Sequence, residues 1–557
     1  ITGSPNYGVA FINTESPVAT GNTISSTTSA IIDAGTFTTP VTHASNVFVG
    51  NNVNLDLEAS GTAALTFSGS EGPDLLIGGS GDDHLAGLGG NDTIKGGGGT
   101  DTAVYTGTLG ASNITSVVDA DPTTAGNQAG WQVSAGAEGT DLLTAIEKVT
   151  DGAGHNILLV GNGGYATIQA AINAAAAGDT ILVGPGTFAG ATIGKELTII
   201  GQGSGAGGTI ITSGSTQNGF QITGDVDATA ADSTATVTIQ GFKFTGNAVG
   251  VSASSTTELS HLVVTNSDFA SNTIQGIGTG NGVFGLSAID ITNSTFERNG
   301  NGSHNGDGDV VLFGFIGDAL IKNVTITGGA NSVPTNANAD TAIQINGRQP
   351  TSYDVTHPIG NVVFDNVAVT GSYAKVLVYI QGYTNLDGLS FLNTGTTLNG
   401  HAGWDYALDV DPTADETSAA TPNVPGEPGF FDAAAAGALA PDTVDLSHVT
   451  AINDIPVNVP LGHPLFAFNG MALGTVFSGT PVADNITGTG GIDLLVGKDG
   501  NDTLTAGLGN DTVNGGAGND AIDGGASIDT AVYAGSLTAA NVTAVADAVP
   551  ATRPAGR

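Results

Sequence analysis

Between residues 74 and 103 the chain repeats one short pattern of polar and apolar positions. An aspartate is followed two positions later by an apolar residue and then by a glycine-rich turn, and the next aspartate comes nine positions on. Asp74, Asp83, Asp92 and Asp101 lead to Leu76, Leu85, Ile94 and Ala103. A second run holds Asp493, Asp502, Asp511, Asp520 and Asp529, with Asp484 as a degenerate first member; its apolar positions are Ile486, Leu495, Leu504, Val513, Ile522 and Ala531. One apolar residue at a fixed place between turns predicts a short strand that points that side chain inward. The turns predict tight reversals, for which glycine supplies positive φ and uncovered carbonyls. A flexible Gly/Asn/Asp linker has no reason to hold a nine-residue phase.

The middle of the chain changes period. In YATIQAAINAAAAGDTILV, Ile168, Ala171, Ile172 and Ala175 follow helical spacing, Thr167 is placed to cap the helix and Gly178 to end it. Short apolar runs follow (TILV, LTII), then a series of similar segments such as VTIQGFKFTGN, LVVTNSDFASN and IDITNSTFERN. Aligned on one turn residue, these give Gly241, Asn266, Asn293, Asn323, Asn366 and Asn393, with successive gaps of 25, 27, 30, 43 and 27. Coils of that length, apolar on both sides of one turn, predict a β-solenoid. Asparagines stacked at one turn predict a ladder of amide hydrogen bonds. The competing reading, N-glycosylation at Asn293 and Asn323, fits the local motif but not the alignment with coils that lack it. The gap of 43 predicts a long excursion on one face.

The chain also repeats itself on a larger scale. DTAVYTGTLGASNITSVVDADP from Asp101 returns as DTAVYAGSLTAANVTAVADAVP from Asp529, an offset of 428, whereas FSG at Phe67 returns at Phe477, an offset of 410. The difference of 18 is two nonapeptides, so a cassette is duplicated and its second array is longer. The charge balance is extreme, with 51 acidic against 11 basic residues and a net charge of −40. That surface repels nucleic acid and anionic membranes and suits cations. Cysteine is absent, which excludes disulfides, thiol catalysis and thiolate metal sites. No apolar run approaches the ~18 residues of a membrane span, so no membrane insertion is expected. The chain opens on Ile1 without a visible signal peptide and is expected to be a piece of a longer protein.

The nonapeptides resemble the RTX, hemolysin-type calcium-binding repeat, GGxGxDxUx. The resemblance implies a parallel β-roll with two nonapeptides per turn, Ca²⁺ as the cofactor and several ions bound, because a hard cation takes six to eight carbonyl and carboxylate oxygens. The implied ligand-bearing positions are Asp74, Gly78, Gly81, Asp83, Gly87, Gly90, Asp92, Gly96, Gly99 and Asp101 in the first array. In the second they are Gly488, Gly491, Asp493, Gly497, Gly500, Asp502, Gly509, Asp511, Gly515, Gly518, Asp520, Gly524 and Asp529. Aspartates eighteen apart would stack, placing calcium between Asp83 and Asp101, Asp493 and Asp511, Asp502 and Asp520, and Asp511 and Asp529. Pro73 and Ser527 depart from the pattern. The resemblance further implies export by a type I system to the extracellular space or the bacterial cell surface.

The middle resembles the pectin-lyase-like parallel β-helices, in which an N-terminal helix covers the end of the solenoid. The expected fold class is therefore all-β, a right-handed parallel β-helix flanked by two RTX parallel β-rolls. The expected divisions are a β-rich N-terminal segment (1–68, the end of a preceding cassette), a first roll (69–104), a connector (105–155), the β-helix with its helix (156–400), a linker or cover (401–478, with a short helix at FFDAAAAGALA), a second roll (479–532) and the start of a repeated connector (533–557).

The layout is similar to that of the modular mannuronan C5-epimerases, but their Tyr-Gly-Phe-Asp-Pro-His motif is missing. The nearest strings are Tyr353, Asp354 and His357, and His304, Asp307 and Asp309; the latter group reads as a polar turn or, alternatively, a further calcium loop. Chemistry on polyuronates would need clustered cations. Residues 156–400 hold only Lys195, Lys243, Arg298, Lys322, Arg348 and Lys375. Two readings stand. The chain is a secreted, calcium-stiffened structural protein of the bacterial surface or matrix (an S-layer, adhesin or filament), with copies of itself or surface polysaccharide as partners and without catalytic residues. Alternatively, it is an extracellular polyuronate lyase, C5-epimerase or glycoside hydrolase.

Overall fold

The computed structural model describes, with side chains, residues 51–118 (without 52 and 53), 128–223, 235–253, 259–279, 286–300 (without 287), 308–312, 317–328, 342–345, 360–369, 482–488 and 493–533 (without 494 and 498); elsewhere it describes isolated positions and the backbone of separate strands. The chain is all-β and built from parallel strands that stack coil on coil.

The first array forms two facing parallel sheets. Asp56–Glu58, Leu75–Gly79 and Thr93–Gly97 pair in one; Thr66–Ser70, His84–Leu88 and Thr102–Val104 pair in the other. Leu75 faces Thr93 and Leu76 faces Ile94, so one full turn of the coil is two nonapeptides. Alternation then sends every second side chain inward: Leu76, Leu85, Ile94 and Ala103 are all fully buried. The second array repeats this, with Leu495 over Val513 and Ile486 over Leu504 over Ile522. Its last described coil is less covered, with Ile522 half-buried and Ala531 exposed. The N-terminal strands Tyr7–Ile12, Ser29–Gly35 and Val53–Ala59 join the first roll's sheet in parallel. Tyr7 faces Ser29 and Ser29 faces Val53, so these coils are longer than two nonapeptides.

Segment 105–155 is itself part of the sheets. Thr140–Thr144 adds in parallel to Thr93–Gly97, and Lys148–Thr150 adds in parallel to Thr102–Val104. Asn156–Val160 then pairs antiparallel with Lys148–Thr150 and parallel with Thr180–Val183. Strand direction reverses at this one pairing, and the same sheet runs on into the middle of the chain.

There the coils have three faces, represented by Thr236–Gln240, Phe242–Thr245 and Val249–Ala253 in one coil. Inward positions stack in columns. Ile181, Ile199, Ile239, Val264, Ile291, Ile321 and Phe364 lie in register, each buried. A second column stacks Phe244, Phe269 and Phe296 with ring centroids 4.8 Å apart and planes nearly parallel. Two asparagine ladders run along the turns. The aligned Asn293, Asn323 and Asn366 pass amide hydrogen bonds of 2.9 Å from coil to coil, all three at φ near +50° as is Asn266, while Asn393 lies outside the described residues. A buried ladder, Asn247 to Asn272 to Asn299, ends on the carboxylate of Asp309.

Several expectations are corrected here. The helix spans Ile168–Ala174 with Thr167 capping it, but Ala175, not Gly178, is its C-terminal cap; Gly178 (φ +86°) turns the chain toward the next strand. The helix packs against Ala191–Ile193, the terminal strand of one face. The Gln169 side chain bonds the main-chain N–H and carbonyl of Thr192 there, so the helix covers the open edge of that face, while the neighbouring face continues into the roll. Asp309 stands in the strand Gly308–Phe313, not in a loop. The long excursion before Asn366 contains a strand, Thr341–Asn346, that belongs to the third face. Beyond residue 400, Tyr406–Asp411 extends that face, and Val476–Ser478 pairs with Leu494–Val496 of the second roll. The helix expected at FFDAAAAGALA lies outside the described residues.

Phe269 sits between two stacked rings with no exposed surface. Phe269→Ala should lower the stability of the middle solenoid by about 3–5 kcal/mol, read as an earlier denaturant midpoint for its transition.

Candidate metal centres

Each array aspartate carries out two tasks with its two oxygens. Where an array aspartate lies one coil back, Oδ1 accepts its main-chain N–H: Asp74 donates to Asp92, and Asp83 to Asp101, both at 2.8 Å, while Asp74 and Asp83 themselves accept the N–H groups of Leu55 and Leu65. The second array repeats this for Asp484 to Asp502, Asp493 to Asp511, Asp502 to Asp520 and Asp511 to Asp529, at 2.8–3.0 Å. The four pairs expected to share calcium are thus joined by direct hydrogen bonds.

Oδ2 faces the other way. In Asp83, Asp92, Asp101, Asp502 and Asp511 it is buried and has no hydrogen-bond partner. Its neighbour is a glycine five positions earlier, where a side chain would not fit, except at Asp511, where Ala506 takes that position. A Cβ on Gly78 would meet Asp83 Oδ2 and, at 2.7 Å, the Gly96 carbonyl oxygen; one on Gly69 would lie 2.5 Å from both Asp74 Oδ2 and the Gly87 carbonyl oxygen. Gly488 and Gly497 repeat this with Asp493 Oδ2 and the Ala506 oxygen, and with Asp502 Oδ2 and the Gly515 oxygen. Gly87, Gly96, Gly515 and Gly524 likewise abut the Oδ2 of Asp92, Asp101, Asp520 and Asp529. Asp74 Oδ2 accepts the main-chain N–H and the hydroxyl of Ser70, but at the unpartnered Oδ2 atoms two acceptor oxygens converge on one point without a donor, the arrangement an oxygen-seeking cation satisfies. Each such point has one carboxylate and main-chain carbonyls, and among the described residues no group of three or more acidic or imidazole side chains assembles to hold a metal.

The remaining glycines shape the turns. Gly90, Gly99, Gly500, Gly509 and Gly518 have φ between +118° and +145°, and Gly81 lies against the Ala63 carbonyl one coil back. Ser527 takes such a position at φ +105°, where the pattern calls for glycine. Gly491 lies outside the described residues.

Burial without a counter-charge disfavours the ionised form. It pushes the carboxyl of Asp74 up to about 7 against the bonds from Ser70 and Leu55, and that of Asp101 to about 7. Asp92, buried and facing Asp141 as well, rises to about 8, and Asp511 to about 6. Asp83 and Asp502 shift in the same direction from the same cause.

Some of the supporting residues went unpredicted. The residue before each aspartate also bonds forward one coil: Asp82 accepts the Thr100 N–H, Asn501 that of Asn519, and Asn510 that of Ile528. The recurring Asn-Asp and Asp-Asp doublets were the signal. Among the six basic residues of the middle, Lys195 bonds the Ala175 carbonyl that ends the helix, Arg298 pairs with Glu297, and Lys322 pairs with Asp365 at 2.7 Å. Lys243 is half-buried on its strand. Arg348, Lys375, Tyr353, Asp354, His357, His304 and Asp307 lie outside the described residues.

Residues 68–103, 478–513 and 496–531 match the RTX calcium-binding nonapeptide repeat family. The chain therefore carries RTX calcium-binding repeats in parallel β-structure. Neither the curated proteins nor the solved structures contain a match to the chain.

Two outcomes are expected. In the metal-free chain the folded aspartates hold protons that the unfolded chain, with carboxyl pKa near ~3.9, has already lost. Stability of the rolls should then fall as pH rises from about 4 to about 8, and saturating calcium should reverse the trend because it binds the ionised form; thermal melts at pH 5 and pH 8, with chelator or with calcium, check both signs. Gly497→Ala should weaken calcium binding in the second roll by about tenfold or more, measured by calorimetric titration.

Proposed function

We propose that this is a secreted structural protein of the bacterial surface or matrix, stiffened by calcium. One observation supports this reading above the others. A single sheet passes from the first roll through the antiparallel pair Lys148–Thr150 and Asn156–Val160 into the β-helix, so strain applied at one is carried to the other through backbone hydrogen bonds. A binding module on a tether would have no need of that continuity.

In this reading Ca²⁺ sits at the aspartate–glycine turns of both arrays, between the coils that the four expected pairs connect. At low calcium the stacked carboxylates, buried and alike in charge, loosen the coils; in the ~10⁻⁴–10⁻³ M calcium typical of extracellular modules the rolls order. Export by a type I system fits a chain that folds on meeting calcium outside the cell. Duplication of the cassette suits an extended element that joins copies of itself into a lattice or filament, or meets surface polysaccharide, more than it suits a single catalytic centre. The charges of Lys322 and Asp365 are spent on one another along the outer face of the β-helix, which favours a structural over a catalytic role for that face.

The test combines imaging with an assay. In millimolar calcium the chain is expected to appear as stiff rods or ordered assemblies that loosen with chelator, and to release or epimerise nothing from alginate or pectate. Turnover of either polymer, abolished by His357→Ala, would replace this reading with the enzymatic one.

A further inference from the structure

The nonapeptide match ends at residue 103, yet the turn-by-turn pattern of the first roll does not. Asp92 donates its N–H to Asp141 Oδ1 at 2.9 Å, and Asp101 donates to Glu147 Oε2 at 2.8 Å, the bonds that array aspartates one coil further on accept elsewhere. Register agrees: Thr93 faces Leu142 and Thr102 faces Lys148, so Asp92 is level with Asp141 and Asp101 with Glu147. Leu143 and Val149, two positions after each acid, are fully buried like the apolar residues of the array. Segment 140–150 is a closing coil, with its two acids six positions apart in place of nine.

The geometry of the metal turns continues too. A Cβ on Gly96 would meet Asp101 Oδ2 and the carbonyl oxygen of Ala145, which occupies the place that Gly96 takes over Gly78. Ala145 has φ +48°, a left-handed conformation that aims its carbonyl there. An alanine carbonyl already fills the equivalent place within the second roll, where Ala506 lies over Gly488. Asp101 has no exposed surface, and its Oδ2 is buried without a hydrogen-bond partner.

We propose that a further Ca²⁺ binds at this joint, taking Asp101 Oδ2 and the Ala145 carbonyl as ligands, with Glu147 as a positioning residue that holds the Asp101 main chain. Glutamate's extra methylene spans the shortened turn. The consequence is directional: Glu147 leads into Lys148–Thr150, the strand on which the antiparallel pairing with Asn156–Val160 is built. Calcium bound here orders the place where strand direction reverses, and so couples the roll to the first coil of the β-helix.

The inference rests on the reading that the rolls bind calcium, and the experiment separates the two. Trp131 is buried, pairs with Leu143 across the strands, and donates its indole N–H to the Gly161 carbonyl at 3.2 Å, so it reports on the joint. In the full chain carrying Trp404→Phe, which leaves Trp131 as the single tryptophan, calcium is titrated while Trp131 emission and bound-ion count are followed. The parent should show a calcium-dependent change in Trp131 emission. Glu147→Ala, which removes the acceptor, should raise its midpoint about tenfold, and Glu147→Gln, which keeps the length and the acceptor, should restore it to near the parent's. Ala145→Val, disfavoured at positive φ, should bind one ion fewer. Asp511→Asn, in the other roll, should lose calcium without moving the Trp131 midpoint. If Glu147→Ala keeps the parent's ion count and midpoint while Asp511→Asn loses calcium, the joint site is overturned and the roll reading survives. If the parent binds no calcium, both fall. Should Ala145→Val fail to fold by circular dichroism, Glu147→Ala with its Gln rescue decides.

Discussion

The parallel hydrogen-bond ladder between successive coils governs this protein. Each coil must return to the same place to satisfy its backbone groups, so its length is constrained at the strands and free only at the turns. The rolls meet the constraint with two nonapeptides per coil and no slack. The β-helix meets it with steps of 25, 27, 30 and 43, all the surplus being placed between strands. Register then fixes everything that stacks, because side chains at one position in successive coils have no choice of neighbour. Columns of isoleucine, stacked phenylalanines and amide ladders are consequences of that one rule.

The same rule is costly where the repeated residue is acidic. Aspartates two nonapeptides apart are brought over one another, desolvated, and joined by one oxygen to the preceding coil's backbone, which leaves the second oxygen of Asp101 and Asp511 unsatisfied. In an apolar column, stacking like on like is favourable; in a carboxylate column it is unfavourable until a cation arrives. The raised pKa values of Asp74, Asp92 and Asp101 express that frustration. Fold and the need for a counter-charge thus come from a single geometric fact.

Roll and β-helix are two settings of one solenoid. The transition needs a change of coil length and a reversal of strand direction, and both occur within Asp141–Val160 through one antiparallel pair. Trp131, the largest fully buried side chain among the described residues, and the buried Leu143 and Val149 fill the space under that reversal. The N-terminal strands attach to the opposite side of the first roll without reversal, their longer coils running directly into those of the array.

The arrays were legible in the sequence because a strict period is a statement about stacking: Leu76, Leu85, Ile94, Leu495 and Leu504 are inward as their phase requires, and Thr167 and Asn293 take their expected local roles. What the period could not convey was anything achieved across broken phase. Asp141 and Glu147 lie far along the chain from Asp92 and Asp101, whose main-chain groups they bond, and Asp309 caps a ladder from within a strand. Local sequence determined which residues turn, which point inward and which carry charge. Tertiary structure alone decided which carboxylate closes each stack and where the solenoid reverses, because those outcomes depend on which strands become neighbours after the chain has wound around, and that proximity leaves no mark at short range.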